Sequence, residues 1–109
     1  MIYQLRRYTA APGKAEALHA RFRDHTRFLF AKHGIEVIGY WTPVEPTEET
    51  GDLVYIVQFA DEDAMKAAWA RFRVDPDWIA AKAESERDGS LTASVKSDVM
   101  TPTDYSSMQ

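Results

Sequence analysis

The stretch Leu53-Val54-Tyr55-Ile56-Val57-Gln58-Phe59 holds a single polar side chain, Gln58. It is too short for a typical helix and rich in β-branched and aromatic residues, so it reads as a strand. Successive side chains of a strand point to opposite faces of its sheet. A strand apolar on both faces needs cover on both. Any fold proposed for this chain has to supply that cover.

The rest of the chain supplies cover for one face. Ile2-Tyr3-Gln4-Leu5-Arg6-Arg7-Tyr8-Thr9 reads as a strand closed by Pro12-Gly13. Tyr3, Leu5 and Arg7 share one of its faces; Ile2, Gln4, Arg6 and Tyr8 share the other. A long helix follows, from about Ala15 to His33, stopped at Gly34 by a residue suited to a left-handed turn. At ~100° per residue, Leu18, Phe22, His25 and Leu29 form its apolar stripe. Ile35 to Thr42 reads as the next strand, ended by Pro43 and Pro46. Glu45, Glu48, Glu49 and Asp52 then fall in a long, solvated hairpin loop. After the central strand, Asp61 caps a second helix with the stripe Met65, Ala68, Trp69 and Phe72. Asp75-Pro76 opens a third helix, about Pro76 to Arg87. Leu91 to Met100 is the last strand, stopped by Pro102.

The order β-α-β-β-α-β is the ferredoxin-like split unit. The fold class is therefore α+β: a four-stranded antiparallel sheet with its helices on one face. Residues 1–102 form one domain, and 103–109 form a polar C-terminal tail. Helices on one side leave the other sheet face wet. Monomers rarely expose more than a few hundred Å² of contiguous apolar surface. A second copy packed face to face through a twofold axis is the simplest remedy. An interface of ~1,500 Å², half of it apolar, is worth ~20 kcal/mol gross at ~25 cal/mol per Å². Association entropy cancels much of that. The competing expectation is that the C-terminal tail folds back over the face.

Composition narrows the function classes. The formal net charge is −4 and there is no cysteine. A basic stripe for nucleic acid is missing, and thiol chemistry and disulfides are excluded. No apolar run approaches the ~20 residues of a membrane span. No secretory signal pattern opens the chain, so a cytoplasmic location is expected. The three histidines lack metal-binding spacing, no phosphate loop occurs, and no G-x-S-x-G elbow is present. No metal and no cofactor are expected.

The residues also resemble a known family. Ile2 to Thr9 followed by Pro12-Gly13-Lys14 resembles the opening of a NIPSNAP domain. Lys32-His33-Gly34 with Ile38-Gly39-Tyr40-Trp41-Thr42 resembles its second segment. Asp75-Pro76-Asp77-Trp78 is similar to its late-helix motif, and the last strand leading to Thr101-Pro102-Thr103 fits its end. The resemblance implies a dimeric α/β barrel, two ferredoxin-like subunits whose sheets close on each other. It leaves the activity open. Related barrels include cofactor-independent monooxygenases, isomerases, decarboxylating and haem-degrading enzymes, and members with no known activity. NIPSNAP third strands often carry a histidine and a tryptophan near the middle, and Val54 to Phe59 has neither.

Three groups of residues could carry chemistry. His25, in the stripe expected to face the sheet, is the sharpest catalytic candidate, with a pocket tyrosine the other: a half-buried imidazole can act as a general base near neutral pH. It could equally be a hydrogen-bonded core residue. Tyr8, Tyr40, Trp41, Tyr55, Trp69, Phe72 and Trp78 could line an apolar pocket between helices and sheet, or simply fill the core. Arg6 could offer a cation to an anionic ligand, or pair with Glu36, the commoner arrangement. The expected function is binding of a small apolar or aromatic molecule by Arg6, Tyr8, His25, Tyr40, Tyr55 and Trp69. One alternative is a cofactor-independent monooxygenase or isomerase acting on an activated aromatic or enolisable substrate. Another is a non-enzymatic interaction module.

Overall fold

The structure, a computed structural model, describes residues 1–109. Strand β1 (Ile2–Ala10) leads into one helix built of three stretches. These are α1 (Ala15–Arg21), a π segment (Phe22–Thr26) and α2 (Arg27–Lys32). Then come β2 (Glu36–Trp41), β3 (Leu53–Phe59), α3 (Glu62–Arg73), α4 (Pro76–Ser85) and β4 (Thr92–Met100). The sheet order is β2-β3-β1-β4, antiparallel throughout, which is the ferredoxin-like arrangement. The two central strands, β1 and β3, are the two richest in large side chains.

Alternation along β3 separates the faces. Leu53, Tyr55, Val57 and Phe59 are buried under the helices, while Val54, Ile56 and Gln58 between them are half-buried. The pairing register puts Leu5 opposite Ile56, and both Arg7 and Trp41 opposite Val54. Leu5, Val54, Ile56 and Trp41 therefore share the helix-free face, where Trp41 stays 49% exposed. The molecule is a slab of two layers, 45 × 34 × 18 Å.

On the helix side the core is aromatic. Phe30 is 1% exposed and meets Trp69, Phe72 and Tyr55 at centroid distances of 5.4, 5.0 and 5.7 Å. Such tilted and edge-on contacts suit the ring quadrupoles. Leu18, Ile35 and Leu91 fill the space between them. Asp61 caps α3 by accepting the Ala64 amide at 2.8 Å. Gly34, at φ +74°, ends α2 in the left-handed conformation.

Asp75 does more than cap α4. It is 4% exposed and accepts the Asp77 amide at 2.8 Å. Its other oxygen meets Lys32 Nζ at 2.8 Å and His33 Nε2 at 2.6 Å. The end of α2 is thereby fastened to the start of α4.

Two expectations need correction. Asp52 is not part of a solvated charge run: its carboxylate accepts the Ala10 amide at 2.7 Å, and its own amide donates to the Tyr8 carbonyl at 2.8 Å. Gly51 beside it has φ +77°, and a Cβ there would meet the Tyr8 carbonyl oxygen at 2.8 Å. The loop is docked at its C-terminal end because only glycine fits that approach. The tail does fold back, since the Tyr3 hydroxyl donates to the Gln109 carbonyl at 3.4 Å. It reaches one corner of the open face and leaves Trp41 half exposed.

Candidate functional site

Between the sheet and the helices lies a cavity of about 240 Å³. Arg6 and Tyr8 of β1 form its floor, because even-numbered β1 residues face the helices. Arg21, Phe22, Thr26 and Phe30 close one wall, and Trp69, Phe72 and Trp78 the other. Arg73 and Lys82, both exposed, stand with Trp78 on α3 and α4 at its rim.

The polar centre is a triad of Arg6, Tyr8 and Tyr55. Arg6 Nε donates to the Tyr55 hydroxyl at 3.0 Å, and Nη2 donates to the Tyr8 hydroxyl at 2.9 Å. The two hydroxyls are 3.0 Å apart and share a hydrogen bond. The guanidinium lies 4.8 Å from the Trp69 ring centre, a cation–π contact. Gln4 holds that indole in place, accepting from Trp69 Nε1 at 2.7 Å while donating to Ser97 Oγ at 2.7 Å. Burial pushes the Tyr55 hydroxyl well above the usual phenol value; Tyr8 pushes the same way and Arg6 opposes. Tyr55 is thus a neutral hydrogen-bond donor near pH 7, not a base. Arg6 has burial acting against its charge, but the two phenols outweigh it and its pKa is raised. It stays a cation.

The expected Arg6–Glu36 pair does not form. Glu36 pairs in register with Gln58, on the helix-free face, whereas Arg6 pairs with Tyr55 and points at the helices. The sheet itself separates the two charges.

His25 is exposed and turned away from the sheet. It borders an outer groove with Phe28, Leu29 and residues of α4. The cause is the π segment. The Arg27 amide reaches back five residues to the Phe22 carbonyl, and Thr26 Oγ1 donates to the Arg21 carbonyl at 3.3 Å. One extra residue in a turn advances the phase, so buried Thr26 takes the position a regular helix would give His25.

Of the other expected ligand residues, Tyr8 and Trp69 line the cavity with Arg6. Tyr55 is fully buried behind them. Tyr40 lies outside: it packs on Phe22 at 6.0 Å and borders grooves on the β2 side with Arg27. Burial, its largest influence, pushes the Tyr40 hydroxyl up to about 12.

Arg21 was not among the expected residues. Its side chain is only 6% exposed, and Nη1 meets Glu86 at 3.5 Å and Ser85 Oγ at 3.3 Å. Nε is buried with no hydrogen-bond partner. Burial lowers its pKa, with Glu86 acting in opposition. The helical wheel put Arg21 outside the stripe because a wheel describes one buried face. This helix is buried on two sides, by the sheet and by α4.

A two-layer ferredoxin-like domain with an aromatic, arginine-bearing cavity under its helices is the class of protein that these features define. The NIPSNAP family model matches residues 3–107, and the chain belongs to that family. Among solved structures, a NIPSNAP family protein from Agrobacterium tumefaciens is similar at 19% identity and TM-score 0.84, over 99% of this chain and 98% of that one. A second from the same organism, described as having unknown function, is 24% identical, TM-score 0.81, over 100% and 94%. SnoaB, a cofactor-independent oxygenase from Streptomyces nogalater, is 17% identical, TM-score 0.58, over 94% and 93%. At these identities the likeness is one of fold. No curated protein matches the sequence. No helix is long and apolar enough to cross a membrane, and no three metal-ligating side chains converge.

Proposed function

We propose that the chain pairs with a second copy through its open sheet face, making a dimeric α/β barrel, and that each subunit binds a small aromatic molecule in the cavity over Arg6. The observation that carries the binding reading is the cavity itself: space of about 240 Å³ walled by rings, with a few convergent polar groups at its floor. That combination is how small-molecule sites are built. The volume is slightly under the ~300 Å³ at which drug-sized sites begin, so it suits a single ring. Pairing is supported by Leu5, Val54, Ile56 and Trp41, which lie together on a face that the helices leave uncovered.

A titration with benzyl alcohol, followed by proton–nitrogen correlation spectra, tests the binding reading. The indole N–H signals of Trp69 and Trp78 and the backbone signal of Arg6 move together, while that of His25 stays still. Shifts centred on His25 or on Tyr40, with the indoles unmoved, would contradict it.

Cofactor-free oxygenase or isomerase chemistry is the second reading. Tyr8, Tyr55 and Arg6 favour it, since hydroxyl donors beside a guanidinium can stabilise a developing oxyanion. The fold it shares with SnoaB is compatible. What weakens it is the lack of a base: Tyr55 holds its proton, and His25 faces away.

A further inference from the structure

We infer that the molecule bound in this cavity is an organic anion, a one-ring carboxylate or its equivalent, whose negative charge is shared by Arg6 and Arg21. The inference rests on the binding reading above and adds the charge of the ligand to it.

The first argument is an imbalance. The chain holds 17 acidic and 13 basic residues. The cavity lining holds Arg6, Arg21, Arg73 and Lys82, and no acid. A lining drawn at random from this composition would on average carry more carboxylates than cations. The second argument is that the deep cations lack adequate partners. Arg6 donates from Nε and Nη2 only to the Tyr55 and Tyr8 hydroxyls and meets no carboxylate. Arg21 Nη1 has Glu86 at 3.5 Å, but its Nε–H is buried and unmatched. A buried donor left unmatched, as Arg21 Nε is, is costly. Such groups are found where a ligand completes them. The third argument is placement. Both guanidiniums lie against aromatic rings, Arg6 over Trp69 at 4.8 Å and Arg21 over Trp78 at 5.2 Å. An anion with an attached ring satisfies the charges and the walls together. Arg73 and Lys82 at the rim would draw such an anion inward.

Calorimetric titration of the full chain with sodium benzoate and with benzamide, its neutral analogue, tests this. Benzoate is expected to bind at least about tenfold more tightly, the change that one charge-assisted hydrogen bond brings. Arg21→Gln is expected to weaken benzoate binding several-fold more than benzamide binding, and so to remove most of that preference. Arg6→Gln should do the same, with a thermal melt to confirm that each variant is folded. Arg21→Gln alone suffices if the Arg6 variant does not fold. Equal binding of the two probes overturns the charge assignment and leaves the cavity reading standing. A benzoate preference that survives in folded Arg21→Gln also overturns it. If neither probe binds at millimolar concentration, the charge assignment and the binding reading fall together.

Discussion

At the scale of single residues, the polar groups of the interior divide into fasteners and the groups around the cavity. Asp75 is a fastener. Lys32 first, then His33 and the Asp77 amide, hold its carboxyl far below the usual carboxylate range. A depressed native pKa adds stability that is fully present above the unfolded value, ~3.9 for aspartate. That stability is withdrawn as pH falls below it, because the unfolded chain takes up the proton first. Asp75→Asn is therefore expected to lower Tm near neutral pH, with the gap to wild type narrowing steadily as pH drops toward ~2. A gap independent of pH would show that charge plays no part. Tyr55 belongs to the triad with Arg6 and Tyr8. Tyr55→Phe leaves Arg6 Nε without its acceptor and is expected to cost about 1–3 kcal/mol in urea unfolding. Little of this was legible in the sequence. Asp75-Pro76 advertised a helix start, but its contacts with Lys32 and His33 depend on how two helices meet. Arg6 and Tyr8 were legible as neighbours on one strand face. The absence of an acid beside Arg6 depends on the register of β2, which sequence pattern does not carry.

At the scale of elements, the strands were the most legible part. β3 begins and ends where its apolar run does, at Leu53 and Phe59. The long helix was legible in extent and misread in phase. Its apolar residues fit a regular stripe through His25 just as well as one displaced by a π turn, since Phe22 and Leu29 are buried either way. Only the backbone bonds decide, and they place Thr26 inside and His25 outside. His25→Ala should change stability by no more than about 0.5 kcal/mol, as an exposed substitution does. Thr26→Asp should cost about 2–4 kcal/mol by burying a charge beside the Arg21 carbonyl. Denaturation midpoints of the two variants measure both, and the reverse order would restore the regular helix.

At the scale of the whole molecule, the dominant fact is a sheet with one face served. A compact monomer of 12.4 kDa exposes ~6,100 Å² by the usual scaling with mass, and this chain exposes 6766 Å². Its radius of gyration is 14.4 Å, against ~13 Å for a chain of this length. Both excesses follow from a thin slab, and both are what half of a larger assembly would show. The shortage of cover was visible in the sequence, since the third strand carries apolar side chains on both faces and the helices lie on one side. Ile56→Arg sets a charge in the middle of the open face without touching the cavity. Sedimentation equilibrium at micromolar concentration tests the pairing most directly. The wild-type chain should sediment at about 25 kDa, twice its own mass, as a twofold pair does, and Ile56→Arg at 12.4 kDa. A wild-type chain that stays at 12.4 kDa across that range, folded and unaggregated, would contradict the account.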